Sequence, residues 1–232
     1  MSVVDDSSAK PRLSWPRKVL YACGQGGNIL SDTVLQTYLL FFYLPPSGQG
    51  TARIPQFVLA IIPVWFGINL LARFVDSVTD PLVAAWSDQS KHRWGRRQVF
   101  MLGGGLPMAL VTAALFFPPD PGSSSSNVVF LALMLCAYFC VYTIYVAPYL
   151  ALLPELAHDD KERLDLSTLQ AIMALVGAAL VMVGGPMLLP EHGQTDEDIQ
   201  HMVVVLSSVA FVLLYLPVLF VDEKRYVRQA EP

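Results

Sequence analysis

The chain has 232 residues, of which 54% are hydrophobic and 15% charged, and its mean hydropathy is +0.48. This composition is too apolar for an ordinary soluble domain and is typical of a membrane protein. The net charge of −4 does not indicate a nucleic-acid partner, and none is expected.

Six apolar stretches are long enough to span a bilayer, which takes about 20 residues of helix. They cover residues 19–43, 56–85, 99–117, 128–152, 167–189 and 202–221. Each stretch is continuously apolar, unlike the alternating segments of about ten residues found in outer-membrane barrels. The sequence therefore predicts an all-α protein with a cytoplasmic segment 1–18, a six-helix transmembrane bundle 19–221 and a cytoplasmic tail 222–232.

The Lys and Arg residues are distributed unevenly between the two sides of this bundle. Thirteen of the fifteen lie before the first helix, in the second-to-third and fourth-to-fifth loops, and in the tail. Only Arg53 lies in an opposite loop, and Arg73 lies within the second span. Because basic loops stay in the cytoplasm, we expect both termini inside, in a multi-pass protein of the cytoplasmic (inner) membrane.

Catalytic signatures are missing from the sequence. It shows no Ser-His-Asp set, no metal-ligand spacing and no phosphate-binding loop, so an enzyme is not expected.

Cys23, Cys136 and Cys140 all lie within predicted spans. We interpret them as packing residues rather than as disulfide partners or metal ligands.

Two predicted helices carry a polar or aromatic stripe along one face. In the first helix the stripe residues are three or four positions apart, and they are Gln25, Asn28, Asp32 and Gln36. In the fourth helix the same spacing joins Tyr138, Tyr142, Tyr145 and Tyr149. A polar stripe in a membrane faces protein or water, so helices one and four are predicted to line a substrate cavity. Interhelical packing is an equally good interpretation of the tyrosines.

The second helix places Arg73, Asp76 and Asp80 on one face within the segment RFVDSVTDPL. Ionisable groups at membrane depth are costly, and they normally face a bundle interior and serve ion or proton pathways. Two carboxylates one turn apart can hold a small cation or share a proton. The alternative is a structural salt bridge between Arg73 and Asp76, with Asp80 bonded locally before Pro81.

The cytoplasmic end of the second helix continues as WSDQSKHRWGRRQVF. Gly95 permits a tight turn in which Arg96 and Arg97 fold back onto helix-end carbonyls and onto Asp88. We interpret these four residues as a cytoplasmic gate. Simple topogenic charge is the alternative.

Three motifs in order, RFVDSVTDPLVAAWSD, SKHRWGRRQVF and APYLALLPELAHDDKERLDL, together with the opening YACGQGGN, resemble the glycoside-pentoside-hexuronide cation symporters. These form the melibiose-carrier-like branch of the major facilitator superfamily. The resemblance covers residues 19–225. It implies that Asp76, Asp80 and Thr143 bind a coupling sodium ion or proton, that Arg73 lies near a sugar pocket, and that no other cofactor is needed.

The chain departs from the sugar-carrying pattern at several positions. Ile29, Val146 and Leu150 replace an aspartate, an acidic residue and an aromatic residue of the pattern, and Gln170 lies near its helix-five arginine. The resemblance therefore leaves a sugar, another amphiphile or a lipid as the small-molecule substrate.

The resemblance covers only the first six of the family's twelve helices. A lone six-helix bundle would expose its polar cavity wall to lipid, so we expect a second six-helix bundle, from another copy or a separate protein. The expected function is a half-size subunit of a cation-coupled transporter that works by alternating access. The alternative is a membrane scaffold or accessory subunit that keeps the fold without transporting.

Overall fold

The computed structural model describes residues 11–46, 51–58, 62–90, 92–190 and 195–226. These residues contain six long helices, named α1 to α6, and a short helix α7. Helix α1 covers residues 15–43 as Trp15–Val34, a π-helical turn Leu35–Leu39 and Leu40–Tyr43. The others are α2 Val64–Gln89, α3 Gln98–Ala114, α4 Ser125–Leu156, α5 Asp160–Met187 with a π-helical turn Leu180–Gly184, α6 Asp196–Phe220 and α7 Glu223–Tyr226.

Each predicted apolar stretch contains one long helix, but the predicted start of the second at residue 56 is wrong. Helix α2 begins at Val64. Before it, strands β1 (Phe57–Val58) and β2 (Ile62–Pro63) pair antiparallel. Pro63 explains the difference, because a proline disfavours the helical conformation in the residue before it. The predicted terminal segments 1–18 and 222–232 lie partly outside the described residues.

Three helices are long and apolar enough to cross a membrane by length and composition. They are α4, α5 and α6. Helix α3 is apolar but has only 17 residues, while α2 carries Arg73, Asp76 and Asp80 in its centre and α1 carries a polar stripe. The residues that suggest function thus lower the hydropathy of α1 and α2. Six membrane crossings, with both ends in the cytoplasm, stay a prediction.

Side-chain caps begin α4, α5 and α6. The hydroxyl of Ser124 accepts the Ser126 N–H, and Thr195 forms a capping box with Asp198. Asp159 accepts the Glu162 N–H at 2.7 Å, and this hydrogen bond holds the pKa of Asp159 below its usual value. The first turns of these helices are thus fixed by local sequence.

The helices pack in the order α2, α4, α3, α6, α1, α5. Helix α4 contacts α2 and α3, α3 contacts α6, and α1 contacts α6 and α5. Helices α2 and α5 are the outer members, with one main neighbour each. Their outward apolar side chains are consequently exposed, as in Phe74 (66%) and Leu175 (72%).

Buried tyrosines and close-packed glycines hold the centre of the bundle. The rings of Tyr21 on α1 and Tyr149 on α4 stack with centroids 4.9 Å apart. Each hydroxyl donates to the other residue's carbonyl oxygen, at 2.7 and 3.1 Å. Gly26 and Gly177 bring α1 and α5 so close that a Cβ atom on Gly177 would overlap the Gly26 carbonyl. Direct contacts therefore join α1 to α4 at the tyrosines and α1 to α5 at the glycines.

Candidate functional site

Two aspartates of α2 meet a threonine of α4 near the centre of both helices. The hydroxyl oxygen of Thr143 lies 2.9 Å from Asp80 Oδ1 and 3.3 Å from Asp76 Oδ1. Thr143 is fully buried, whereas Asp76 is partly exposed and Asp80 is exposed. Oxygen atoms from two helices thus converge on one point that is accessible from outside the bundle.

Arg73 supplies the positive charge of this cluster. Its guanidinium lies 3.6 Å from Asp76 Oδ2, and its Cζ lies 4.6 Å from the centre of the Phe139 ring. The salt bridge that the sequence left as an alternative is therefore present. Arg73 pairs with only one of the two carboxylates, so the cluster has a formal charge of −1 when both aspartates are ionised. Binding of one monovalent cation would cancel that charge, which is strongly favoured where water is scarce.

The cluster lies at mid-depth of α2. Asp76 is twelve residues beyond Val64, or about 18 Å along the helix axis. Helix α2 has 26 residues, so its total length is about 39 Å. If α2 spans the bilayer, the cluster therefore lies near the midplane, where carriers hold their substrates and coupling ions.

A cavity of about 290 Å³ adjoins the cluster between α1, α2 and α4. Arg73 belongs to both the cluster and the cavity wall. The polar lining residues are Asp32, Gln36, Asn69, Arg73 and Tyr138, and the apolar ones are Leu35, Leu39, Leu40, Trp65, Leu135 and Phe139. Such a mixture of aromatic rings and a few converging polar groups is typical of a small-molecule site.

The polar stripe of α1 divides into an exposed and a buried part. Asp32 and Gln36 line the cavity and are hydrogen-bonded to each other. Gln25 and Asn28 lie deeper, and each has a buried oxygen atom with no protein partner among the described residues. The Gln170 Nε2 atom and the Tyr138 hydroxyl oxygen are also buried without a hydrogen-bond partner among the described residues. Buried polar atoms usually have a partner, so these four residues are suited to contact a polar ligand or water.

The four tyrosines of α4 also fall into two groups. Tyr145 and Tyr149 are fully buried, and the hydroxyl of Tyr145 donates to the Leu214 carbonyl at 2.8 Å. These two residues pack between helices, which is one of the two interpretations that the sequence left open. Tyr138 reaches the cavity, and Tyr142 is partly buried beside it with the ring centres 5.8 Å apart. Contact with substrate remains a prediction for all four.

The turn before α3 forms an ion-pair network with the ends of α2 and α4. Arg97 lies 2.8 Å from Asp88 Oδ1 and 3.1 Å from Glu155 Oε1, and it also donates to the Ala151 carbonyl. Arg96 pairs with Glu155. Of the residues predicted to form the gate, Arg96 and Arg97 thus pair with Glu155 and Asp88 pairs with Arg97, while the gating role stays a prediction.

Glu223 of α7 caps the start of α3 within the same network. Its buried carboxylate accepts the backbone N–H groups of Arg96, Arg97 and Gln98 at 3.1, 2.9 and 2.9 Å. The positive end of the α3 dipole favours this carboxylate. Gly95, at φ 125°, lets the turn pass directly over it. The network thus joins the neighbouring ends of α2, α3, α4 and α7.

Comparison with known proteins places this chain in a transporter family. The family model described as MFS/sugar transport protein matches residues 20–232. The chain belongs to this family. It is 28% identical over 207 residues to the inner membrane symporter YicJ of Escherichia coli, covering 87% of this chain and 42% of that protein.

Two further relatives are also named as a symporter or a transporter. The chain is 27% identical over 186 residues to the symporter sll1374 of Synechocystis, covering 78% of this chain and 32% of that protein. It is 24% identical over 226 residues to the isoprimeverose transporter of Lactiplantibacillus pentosus, covering 96% of this chain and 44% of that protein. This member of the MFS/sugar transport protein family thus spans a third to under half of the length of these relatives, and it is an integral membrane protein.

Sequence reasoning about this family member missed three residues of the site. Asn69 lines the cavity and lies one turn before Arg73, so extending the charged face of α2 by four residues would have found it. Glu155 and Glu223 complete the ion-pair network at the start of α3. Their only sequence signal is an acidic residue at the end of an apolar helix, which is common, so their joint role could not be read from the sequence.

Proposed function

We propose that this chain forms one six-helix half of a cation-coupled secondary transporter that works by alternating access. The observation that carries the proposal is the convergence of Asp76, Asp80 and Thr143 at mid-depth, with one net negative charge. A sodium ion or a proton would neutralise the cluster. Because Arg73 belongs to both the cluster and the cavity wall, its position depends on the state of the aspartates, which couples cation binding to substrate binding.

The proposed substrate is a small glycoside held in the adjoining cavity. The lining combines Trp65 and Tyr138 with Asp32 and Arg73, and it can therefore stack against a sugar ring and hydrogen-bond its hydroxyls. The names of the relatives, which include an isoprimeverose transporter and a lactose permease, support this class. Other amphiphiles and lipids are the alternative substrates, and they are tested by competition with the labelled glycoside.

The proposed transporter needs a second six-helix bundle over the face that α2 and α5 border. On this face Asp80 and Gln36 are exposed, and polar groups facing lipid would each cost several kcal/mol, on the order of a lost hydrogen bond in hydrocarbon. A second bundle of this kind would cover them, whether it is a copy of this chain, a separate chain or a further part of the same polypeptide. In mild detergent we expect a particle with at least twice the mass of this bundle.

Ion-driven uptake tests the proposal directly. The assembled protein is reconstituted in liposomes with an imposed sodium or proton gradient, and uptake of labelled isoprimeverose and lactose is measured. We expect Asp76→Asn and Asp80→Asn to abolish gradient-driven uptake, while Asp160→Asn, which changes an exposed acid outside the cluster, leaves it intact. Uptake that both cluster variants leave unchanged would refute the proposal. Normal assembly with no transport by the unaltered protein would favour a scaffold instead.

A further inference from the structure

Asn69 lies in the wall of the proposed substrate cavity but belongs neither to the aspartate cluster nor to the polar stripe of α1. On α2 it stands one turn, about 6 Å along the axis, after Trp65 and one turn before Arg73. All three side chains line the cavity. This face of α2 thus presents an aromatic ring, an amide and a guanidinium in succession.

A hydrogen bond within α2 orients the amide of Asn69. Its Nδ2 atom donates to the Trp65 carbonyl oxygen at 2.9 Å. Because a carbonyl oxygen can only accept, this bond identifies which end of the amide is the nitrogen. The other end is the Oδ1 atom, which accepts no hydrogen bond from any residue that the structure describes. The oxygen of this half-buried side chain is therefore left for a donor that a ligand or water supplies.

The groups around Asn69 decide which donor fits best. The Arg73 guanidinium would repel a cationic ligand, and since it is already paired with Asp76, its attraction for an anion is reduced. The carboxyl group of Asp32 lines the same wall and disfavours an anion. The Tyr138 hydroxyl is buried without a partner among the described residues. A neutral hydroxyl group, which both donates and accepts, matches this wall better than a charged group does.

We propose that Asn69 is a specificity-determining residue of the cavity. Its Oδ1 atom accepts a hydrogen bond from one hydroxyl of the substrate, so the cavity takes a hydroxyl-rich glycoside in preference to an amphiphile with an acyl chain. A site that is built to bond a hydroxyl discriminates against a ligand without one, because its own polar atom is then left unpaired. Trp65, one turn away, supplies a ring against which a sugar can stack. This inference rests on the proposed function and narrows the substrate classes that the sequence left open.

Isothermal titration of the assembled protein in mild detergent with isoprimeverose and lactose tests this role without requiring transport. We expect Asn69→Leu, which keeps the size but removes the amide, to weaken binding about tenfold, the order of one lost hydrogen bond. Ser77→Ala is the matched control, because Ser77 also donates within α2, to the Phe74 carbonyl at 2.8 Å, but does not line the cavity. Its affinity should equal that of the unaltered protein. Unchanged binding by Asn69→Leu, or an equal loss in the two variants, would overturn the proposal.

Monodeoxy derivatives of the two sugars identify the bonded hydroxyl. In the unaltered protein, removal of that one hydroxyl should weaken binding about tenfold, again the order of one hydrogen bond. In Asn69→Leu the same removal should change the affinity by less than about threefold, because its partner is already missing and the two losses are not additive. A merely structural role of Asn69 would weaken the binding of every derivative equally. The absence of coupling to any single hydroxyl contradicts the proposal.

Two further results separate this inference from the proposed transport. The melting temperature of sugar-free Asn69→Leu should match that of the unaltered protein, because the hydrogen bond that it loses is local to α2. Gradient-driven uptake of both sugars that Asn69→Leu leaves at full affinity would overturn the role of Asn69 and leave the transport proposal standing. An unaltered protein that binds neither sugar would overturn this inference together with the glycoside class, whereas cation binding by the aspartate cluster is tested separately.

Discussion

At the scale of single residues, the candidate site depends on one hydroxyl group. Thr143 lies within hydrogen-bond distance of both aspartates, yet it has a single proton to donate. It can therefore donate to one carboxylate, while its own oxygen remains close enough to both to help ligate a cation. Thr143 itself is buried, so its position is set by packing in α4 and not by the ligand.

We predict that Thr143→Val weakens sodium binding by roughly tenfold or more, because valine has no oxygen to ligate the ion. A polar contact to a charged group contributes about 1.5–3 kcal/mol. Thr143→Ser keeps the hydroxyl and is the matched control, with an expected change of less than about threefold. The half-saturating sodium concentration for uptake reports the affinity. Equal loss in the two variants would show that shape matters rather than the hydroxyl.

The sequence predicted the members of this cluster but not their mutual geometry. The spacing of Arg73, Asp76 and Asp80 placed them on one face, since helical periodicity determines which residues share a face. Their meeting with Thr143 was implied only by a family resemblance, because periodicity within one helix says nothing about its neighbour. The same limit explains why Tyr145 and Tyr149 could not be distinguished in advance from Tyr138.

At the scale of helices, α1 and α5 are held together by two glycines. The carbonyl oxygen of Gly26 occupies the space that a side chain on Gly177 would need. Small residues at such contacts allow the van der Waals packing that joins membrane helices. The arrangement matters for the site because α1 carries Asp32 and Gln36 into the cavity.

We predict that Gly177→Ala destabilises the protein by about 1–3 kcal/mol, since the added methyl group must push the two backbones apart. Gly103→Ala is the control, because a Cβ atom there meets no heavy atom within 4 Å, and the helix propensity of alanine should make it neutral or stabilising. Melting temperatures of the purified variants in detergent provide the test. A normal melting temperature for Gly177→Ala would mean that the close contact is absent.

The turn before α3 gives a second prediction at this scale. Glu223→Ala leaves three backbone N–H groups at the start of α3 without their acceptor, so we expect a loss of about 1–3 kcal/mol in stability. Glu197→Ala removes an exposed acid at the opposite end of α6 and should change the melting temperature by little. If both variants melt alike, Glu223 does not cap α3.

At the scale of the whole molecule, the orientation in the membrane is a prediction from the charge distribution. The Arg96, Arg97, Glu155 and Glu223 network lies at the end of the bundle that the positive-inside rule assigns to the cytoplasm. The six long helices and the transporter family were predictable from hydropathy and motifs. The start of α2 was not, because a proline overrides an otherwise apolar run, and neither was the order in which the helices pack.

Cysteine labelling tests this orientation. In a background without native cysteines, Ser123→Cys precedes α4 and Asp160→Cys begins α5, and both positions are exposed. A maleimide that cannot cross membranes should label position 123 in intact cells and position 160 only after permeabilisation. The reverse pattern would place both termini outside.

The central claim is that Asp76 and Asp80 bind the coupling cation. The most direct test is the infrared difference spectrum of the assembled protein on adding sodium or on lowering the pH. A bound sodium ion shifts the carboxylate bands, and a bound proton replaces them with a carbonyl band. We predict one of these changes in the unaltered protein and its loss in the variant that combines Asp76→Asn with Asp80→Asn. Identical difference bands in both proteins would contradict the claim.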